Sequence, residues 1–133
     1  MTKKELNAAR ELKKLIQDRE QRLIGLRASA QNLVPANDGQ PRSQTPSSRV
    51  EKLAIKILDA DEKLNCLRRQ FDEAAAQIAL EIYNADLTAQ EQAVLIARYV
   101  DCVTFRAIQF RLHLSDAHVF YLHRCACKKI KVG

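Results

Sequence analysis

A chain of 133 residues has room for one globular domain, or for one small domain plus an extended element. Charged residues make up 29 %, aromatics 5 %, and there are only three Gly, three Pro and no Trp; this is the composition of long exposed helices, not of one thick core. A net charge of +6 suits a polyanionic partner but serves solubility equally well, and no apolar run approaches the ~18 residues of a membrane helix.

Thr2 and Glu5, hydroxyl first and carboxylate three residues on, form a capping-box pattern that predicts a helix start. Ala9, Leu12, Ile16, Arg19, Leu23, Leu26, Ala30 and Leu33 follow at alternating steps of three and four, a heptad seam with Arg19 as its one polar member. The pattern stops at Val34-Pro35. Pro35–Ser47 is rich in Pro, Asn, Gly, Gln, Ser and Thr and is expected to be a flexible connection. Ser48 and Glu51 make a second capping box. Val50, Leu53, Ile57, Ala60, Leu64, Leu67, Phe71, Ala74 and Ile78 then repeat the seam before the phase slips to Ile82 and Ala85.

Narrow stripes cannot stabilise isolated helices in water. Residues 1–86 are therefore expected to fold as an antiparallel helical hairpin, a coiled coil closed by the loop at 35–47. Its seam is Leu12, Ile16, Leu23 and Leu26 on one helix and Leu53, Ile57, Leu64, Leu67 and Phe71 on the other. Leu15, Ile24, Ile55 and Leu58 lie just off the seam, and this surplus apolar surface predicts a homo-oligomer, a dimer first. Acidic pairs such as Asp59/Glu62 and Asp72/Glu73 stand at helical spacing from Lys and Arg and read as solvated ion pairs. Without a His, the hairpin cannot supply an inward di-iron set.

The basic excess concentrates in the last third: residues 1–86 carry 15 Lys/Arg against 13 Asp/Glu, residues 87–133 carry 7 against 3. Thr88 and Glu91 form a third capping box, with Val94, Leu95, Arg98 and Tyr99 behind it at helical spacing. Val100–Val103 predicts a short break. Thr104 caps a helix over Phe105–Leu112 with Phe105, Ile108 and Leu112 inward. The turn His113-Leu114 leads to Ser115, cap of a last helix over Asp116–Lys131 with Val119, Leu122, Ala126 and Ile130 inward. Three short capped helices with a compact turn between the last two are the arithmetic of a helix-turn-helix. The expected class is all-α: a hairpin domain at 1–86 and a helix-turn-helix domain at 87–133.

Leu87, Thr88, Glu91, Val94, Leu95, Arg98 and Tyr99, then Phe105 and Ile108, then Leu112, Leu114, Ser115, Val119, Leu122 and Ala126 together resemble sigma-factor region four, a promoter-reading domain. The whole layout resembles the ArpU/RinA-type late-gene activators of phages and prophages. The resemblance implies a phage-type transcription regulator in the cytoplasm of a bacterial host, bound to promoter-like double-stranded DNA and in contact with RNA polymerase. Two positions depart from the pattern. Gln109 stands where a small residue is usual, and His113 stands where Gly is usual; His tolerates positive φ less well, so the turn is expected to be reshaped or strained there.

With Val119, Leu122 and Ala126 inward, the last helix turns Asp116, Ala117, His118, Phe120, Tyr121, Arg124 and Lys128 outward. His118, Tyr121 and Arg124 are the candidates for base edges, and Arg106, Arg111, Lys128, Lys129 and Lys131 for phosphates. Phe110, Phe120 and Tyr121 read either as core or as an aromatic patch for a protein partner. One alternative is thus a regulator that engages polymerase without reading DNA. Another is a small terminase-like packaging subunit, although there the helix-turn-helix usually comes first.

Cys66, Cys102, Cys125 and Cys127 with His113, His118 and His123 do not make a zinc site: Cys125 and Cys127 point to opposite sides of a helix, and His123 with Cys127 gives two ligands only. The thiols read as small buried hydrophobes. No phosphate loop, dinucleotide fingerprint or nucleophile elbow is present, so neither catalysis nor a cofactor is expected. Met1-Thr2-Lys3-Lys4 runs directly into the amphipathic pattern without a leader signature, which predicts a cytosolic setting with reduced cysteines and no membrane partner.

Overall fold

Residues 1–33 and 45–130 are described in the computed structural model, and every regular element among them is helical. The elements are α1 (Lys3–Leu33), α2 (Thr45–Asn84), α3 (Ala89–Leu95) running into a π-helical turn (Ile96–Val100), α4 (Phe105–Leu112) and α5 (Asp116–Lys129). No described helix is long and apolar enough to cross a membrane.

The start of α1 is a reciprocal cap. Glu5 N–H donates to Thr2 Oγ1 at 3.1 Å, and Thr2 N–H donates to the Glu5 carboxylate at 2.9 Å. The start of α2 differs from the expectation. Ser48 is not its cap, because the helix already begins at Thr45. Pro46 then falls in the first turn, where its missing N–H costs nothing, since N–H groups there have no helical acceptor. Helix thus replaces the expected loop over residues 45–47, and residues 35–44 lie outside the described residues.

Contacts group the chain into two units that divide inside the long helices. One unit is Met1–Lys13 with the chain from Arg69 onward. It holds two adjoining cores. In the first, Leu6 and Ala9 of α1 and Ile78 and Ile82 of α2 bury against Leu95, Tyr99 and Ala126. In the second, Val94, Ala97, Ile108, Val119 and Leu122 pack together, ringed by Val103, Phe105, Leu112 and Leu114. The phase slip from Ile78 to Ile82 leaves both buried. The neighbours Val94 and Leu95 serve different cores, and α3 and α5 each contribute to both.

The π turn extends this sharing. Asp101 N–H reaches Ile96 O at 2.9 Å and Val103 N–H reaches Ala97 O at 3.0 Å. Across it, Ala97 packs in the second core and Tyr99 in the first. Helix therefore runs on to Val100, one residue into the expected break, and Cys102 takes a left-handed φ of 58° just beyond.

The other unit, Lys14–Arg68, contains the rest of α1 and the first part of α2. Ile16, Leu23 and Leu64 are buried there, and Leu26, Leu53, Ile57 and Leu67 are half-buried. The remaining seam positions, Leu12 and Phe71, are half-buried in the first unit. Arg27 reaches Asp61 at 3.0 Å and Arg68 reaches Glu20 at 3.1 Å, so positions climbing α1 meet positions descending α2. Both pairs are exposed; each contributes about 0–1 kcal/mol and helps fix register more than stability. Leu15, Ile24, Ile55 and Leu58 are all exposed.

Candidate functional site

Three hydroxyls set the short helices. Thr88 Oγ1 accepts from Glu91 N–H at 3.2 Å, Thr104 Oγ1 from Ala107 N–H at 3.2 Å, and Ser115 Oγ from His118 N–H at 3.3 Å. Each satisfies one donor that a helix start leaves open. α4 packs on α5, and α3 packs on α5 as well.

Between α4 and α5 the turn keeps its left-handed position. His113 has φ 55° and ψ 43°, and both its N–H and that of Leu114 go to Gln109 O. The usual Gly is replaced without reshaping the turn, so His113 carries the conformational cost, about 1–2 kcal/mol against a right-handed residue. Gln109 is half-buried, and its amide donates to the carboxylate of Asp116, the first residue of α5. Asp116 also sits where the helix dipole favours an anion.

α5 buries Val119, Leu122 and Ala126, and Ile130 beyond it is half-buried. Asp116, Ala117, His118, Phe120, Tyr121, Arg124 and Lys128 are exposed. His118 and Tyr121 stack with ring centroids 6.3 Å apart and planes at 17°. Of the expected core-or-interface aromatics, Phe110 is 72 % exposed and Tyr121 57 %, whereas Phe120 leans on Phe105 with centroids 4.9 Å apart.

The five candidate phosphate contacts separate. Arg106 and Lys128 are exposed and make no ion pair among the described residues, as does Arg124. Arg111 is tied to Asp101 at 3.0 Å. Lys129 is tied at 2.6 Å to Glu91, which is only 3 % exposed. Lys131 lies outside the described residues. The hydrogen bond from Lys129 holds the Glu91 carboxyl below the usual carboxylate range, against the opposing pull of burial, and Glu91 in turn raises the Lys129 ammonium. This pair clamps the start of α3 to the end of α5.

A second cluster holds α5 from within. The Tyr99 hydroxyl and His123 Nε2 share a hydrogen bond of 2.6 Å, and Cys127 Sγ lies 3.6 Å from the same nitrogen. The His123 ring stacks on Tyr99 and meets the edge of Phe105. Arg98 lays its guanidinium 4.2 Å from the Phe105 ring centroid and donates to Val103 O at 3.2 Å. Burial, reinforced by Arg98, pushes the His123 imidazole down, and burial pushes the Tyr99 phenol and the Cys127 thiol up. All three groups are therefore neutral at pH 7.

Neither cluster is legible in the sequence: His123 and Cys127 share a helical face and Arg98-Tyr99 belongs to the region-four-like spacing, but no local rule joins them. Among the described residues no three of His, Cys, Asp and Glu converge on a metal position. No protein-family model matches the chain, and neither the curated proteins nor the solved structures compared with it include a match.

Proposed function

We propose that α4, the turn at His113-Leu114 and α5 act as a helix-turn-helix of the region-four kind, carried on a hairpin of α1 and α2. The chain is then a phage- or prophage-type regulator of transcription that binds duplex DNA and does no chemistry of its own. The outer face of α5 carries the reading. The helix is capped by Ser115 and anchored by Val119, Leu122 and Ala126, and its face from His118 through Tyr121 and Arg124 to Lys128 is exposed throughout. A helix about 10–12 Å across fits a major groove about 12 Å wide.

In this mode Arg124 donates to guanine acceptors, and His118 and Tyr121 contact neighbouring base edges. Arg106 and Lys128 bind phosphates. Arg111 and Lys129 support the fold through Asp101 and Glu91 and are withdrawn from the phosphate set. Selection from a randomised duplex pool, followed by titration over salt, tests the mode. Arg124→Ala should cost about 1–3 kcal/mol on the selected site and relax one base position, and Lys128→Ala should lower the salt slope by about one. No enrichment and no binding at low salt would discard it.

The 72 % exposure of Phe110 favours a second reading, in which the same unit docks on a protein such as RNA polymerase. A pull-down on polymerase separates the two. Loss with Phe110→Ser but not with the Arg124→Ala, Lys128→Ala double variant supports docking.

A further inference from the structure

The two flanks of the Lys14–Arg68 unit are unlike. At about 100° per residue, Glu20 and Arg27 fall to one side of Leu23 on α1, and Leu15, Arg19 and Leu26 fall to the other. The first side is closed by the Arg68–Glu20 and Arg27–Asp61 pairs. The second is an open groove of about 470 Å³, with Leu15, Leu23, Leu26, Ala60, Leu64 and Leu67 supplying its apolar lining.

The charges on its rims are largely cancelled in place. Arg22 pairs with Asp18 at 3.1 Å on α1, and Lys63 pairs with Asp59 at 3.0 Å on α2. Only Arg19 in the lining has no ion pair among the described residues. A rim of that kind offers little to a nucleic acid or a charged peptide. Its attraction is leucine surface.

We propose that this groove is covered by the same groove of a second copy, so that the chain is a two-fold dimer whose four helices close one core over Lys14–Arg68. Two observations select a copy of the chain as the occupant. Among its described residues the unit is a single layer of two helices with only Ile16, Leu23 and Leu64 buried, and a helical core needs a second layer. Both rims carry both signs and their ion pairs cancel in place, so an identical face meets them with one uncompensated charge per copy, Arg19, as the self-complementary contact of two copies allows. Arg19 is then the polar member of the seam that fixes register and limits the assembly to two chains. The proposal stands on this unit alone and does not depend on DNA binding.

Sedimentation equilibrium of the full chain without DNA tests it. The expected mass is twice the 15.1 kDa of the chain. Leu15 is 38 % exposed, so Leu15→Glu is expected to keep its helicity by circular dichroism and to weaken dimerisation by roughly tenfold or more, the exposed part of one leucine being lost from each copy. Ile55→Ser, at an exposed side chain that does not line the groove, should leave the mass unchanged. In the wild-type chain, alkylation of Cys66, which lines the groove, should slow as concentration rises through the dimerisation range; this readout decides the matter if Leu15→Glu loses helicity. A monomer at high micromolar concentration, a dimer indifferent to a folded Leu15→Glu, or Cys66 labelling independent of concentration would overturn the proposal.

Discussion

His123 is held neutral by burial and by Arg98, with an imidazole pushed below its ordinary 6.5. The unfolded chain takes up this proton as pH falls through 6.5, and the folded protein takes it up only lower down. Between those values the unfolded state binds more protons, so stability is complete above pH 6.5 and declines as pH falls. Glu91 adds a second window. Its carboxyl is held below 4.5 by Lys129, so its contribution is present above 4.5 and is lost as pH falls through the folded value. Urea midpoints followed from neutral to acid pH should therefore drop in two stages. His123→Gln should flatten the first and leave the second; equal slopes for variant and wild type between pH 6.5 and 4.5 would contradict the assignment. Neither group was legible in the sequence for what it does. Thr88-x-x-Glu91 reads as a capping box, and half of one forms, but the carboxylate goes to Lys129, 38 positions on. No spacing rule spans that distance.

Between elements, the turn at His113 concentrates strain in one residue. A left-handed Gly avoids the steric cost but adds freedom to the unfolded chain, so His113→Gly is expected to stabilise the protein by about 0.5–1 kcal/mol net. His113→Val, β-branched at positive φ, should destabilise by a similar amount or more. Thermal melts of the two variants would decide, and a His113→Gly variant no more stable than wild type would show that the imidazole makes a compensating contact. The starts of α4 and α5 were legible because capping is local: Thr104 and Ser115 act on N–H groups three residues away, whereas α5 ends at Lys129, two residues short of the expected Lys131. Two local signals compete at the start of α2, Thr45-Pro46 and Ser48, and the helix begins at the first of them. The π turn had no local signal.

Over the whole molecule, the depth of burial is uneven. α3 to α5 bury Val94, Leu95, Ala97, Tyr99, Ile108, Val119, Leu122 and Ala126, whereas Lys14–Arg68 buries three apolar side chains among its described residues. Local opening is cheapest where the core is thinnest. Amide exchange measured by mass spectrometry, below the concentration at which chains associate, should be fastest within Lys14–Arg68 and slowest in α3 and α5. Uniform protection would mean that the long helices draw stability from something other than their apolar seam. The heptads were legible as an all-helical chain, since periodicity reports the buried stripe directly. The division inside α1 and α2 was not, because Leu6, Ala9, Ile78 and Ile82 look like ordinary seam residues and become part of another core only through Leu95, Tyr99 and Ala126.

The π turn at Ile96–Val100 also bears on how such a chain changes over generations. A π turn holds about one residue more than an α-helix of similar rise. Removing one residue there would let the helix close into regular α geometry and leave the chain on either side nearly in place. The adjustment would fall within the turn itself, where Arg98 meets Phe105 and Tyr99 meets His123. A one-residue change of length is therefore absorbed locally at the expense of those contacts, so insertions and deletions should be tolerated better at Ile96–Val100 than in the regular turns of α4 and α5, where each would rotate the chain beyond it by about 100°.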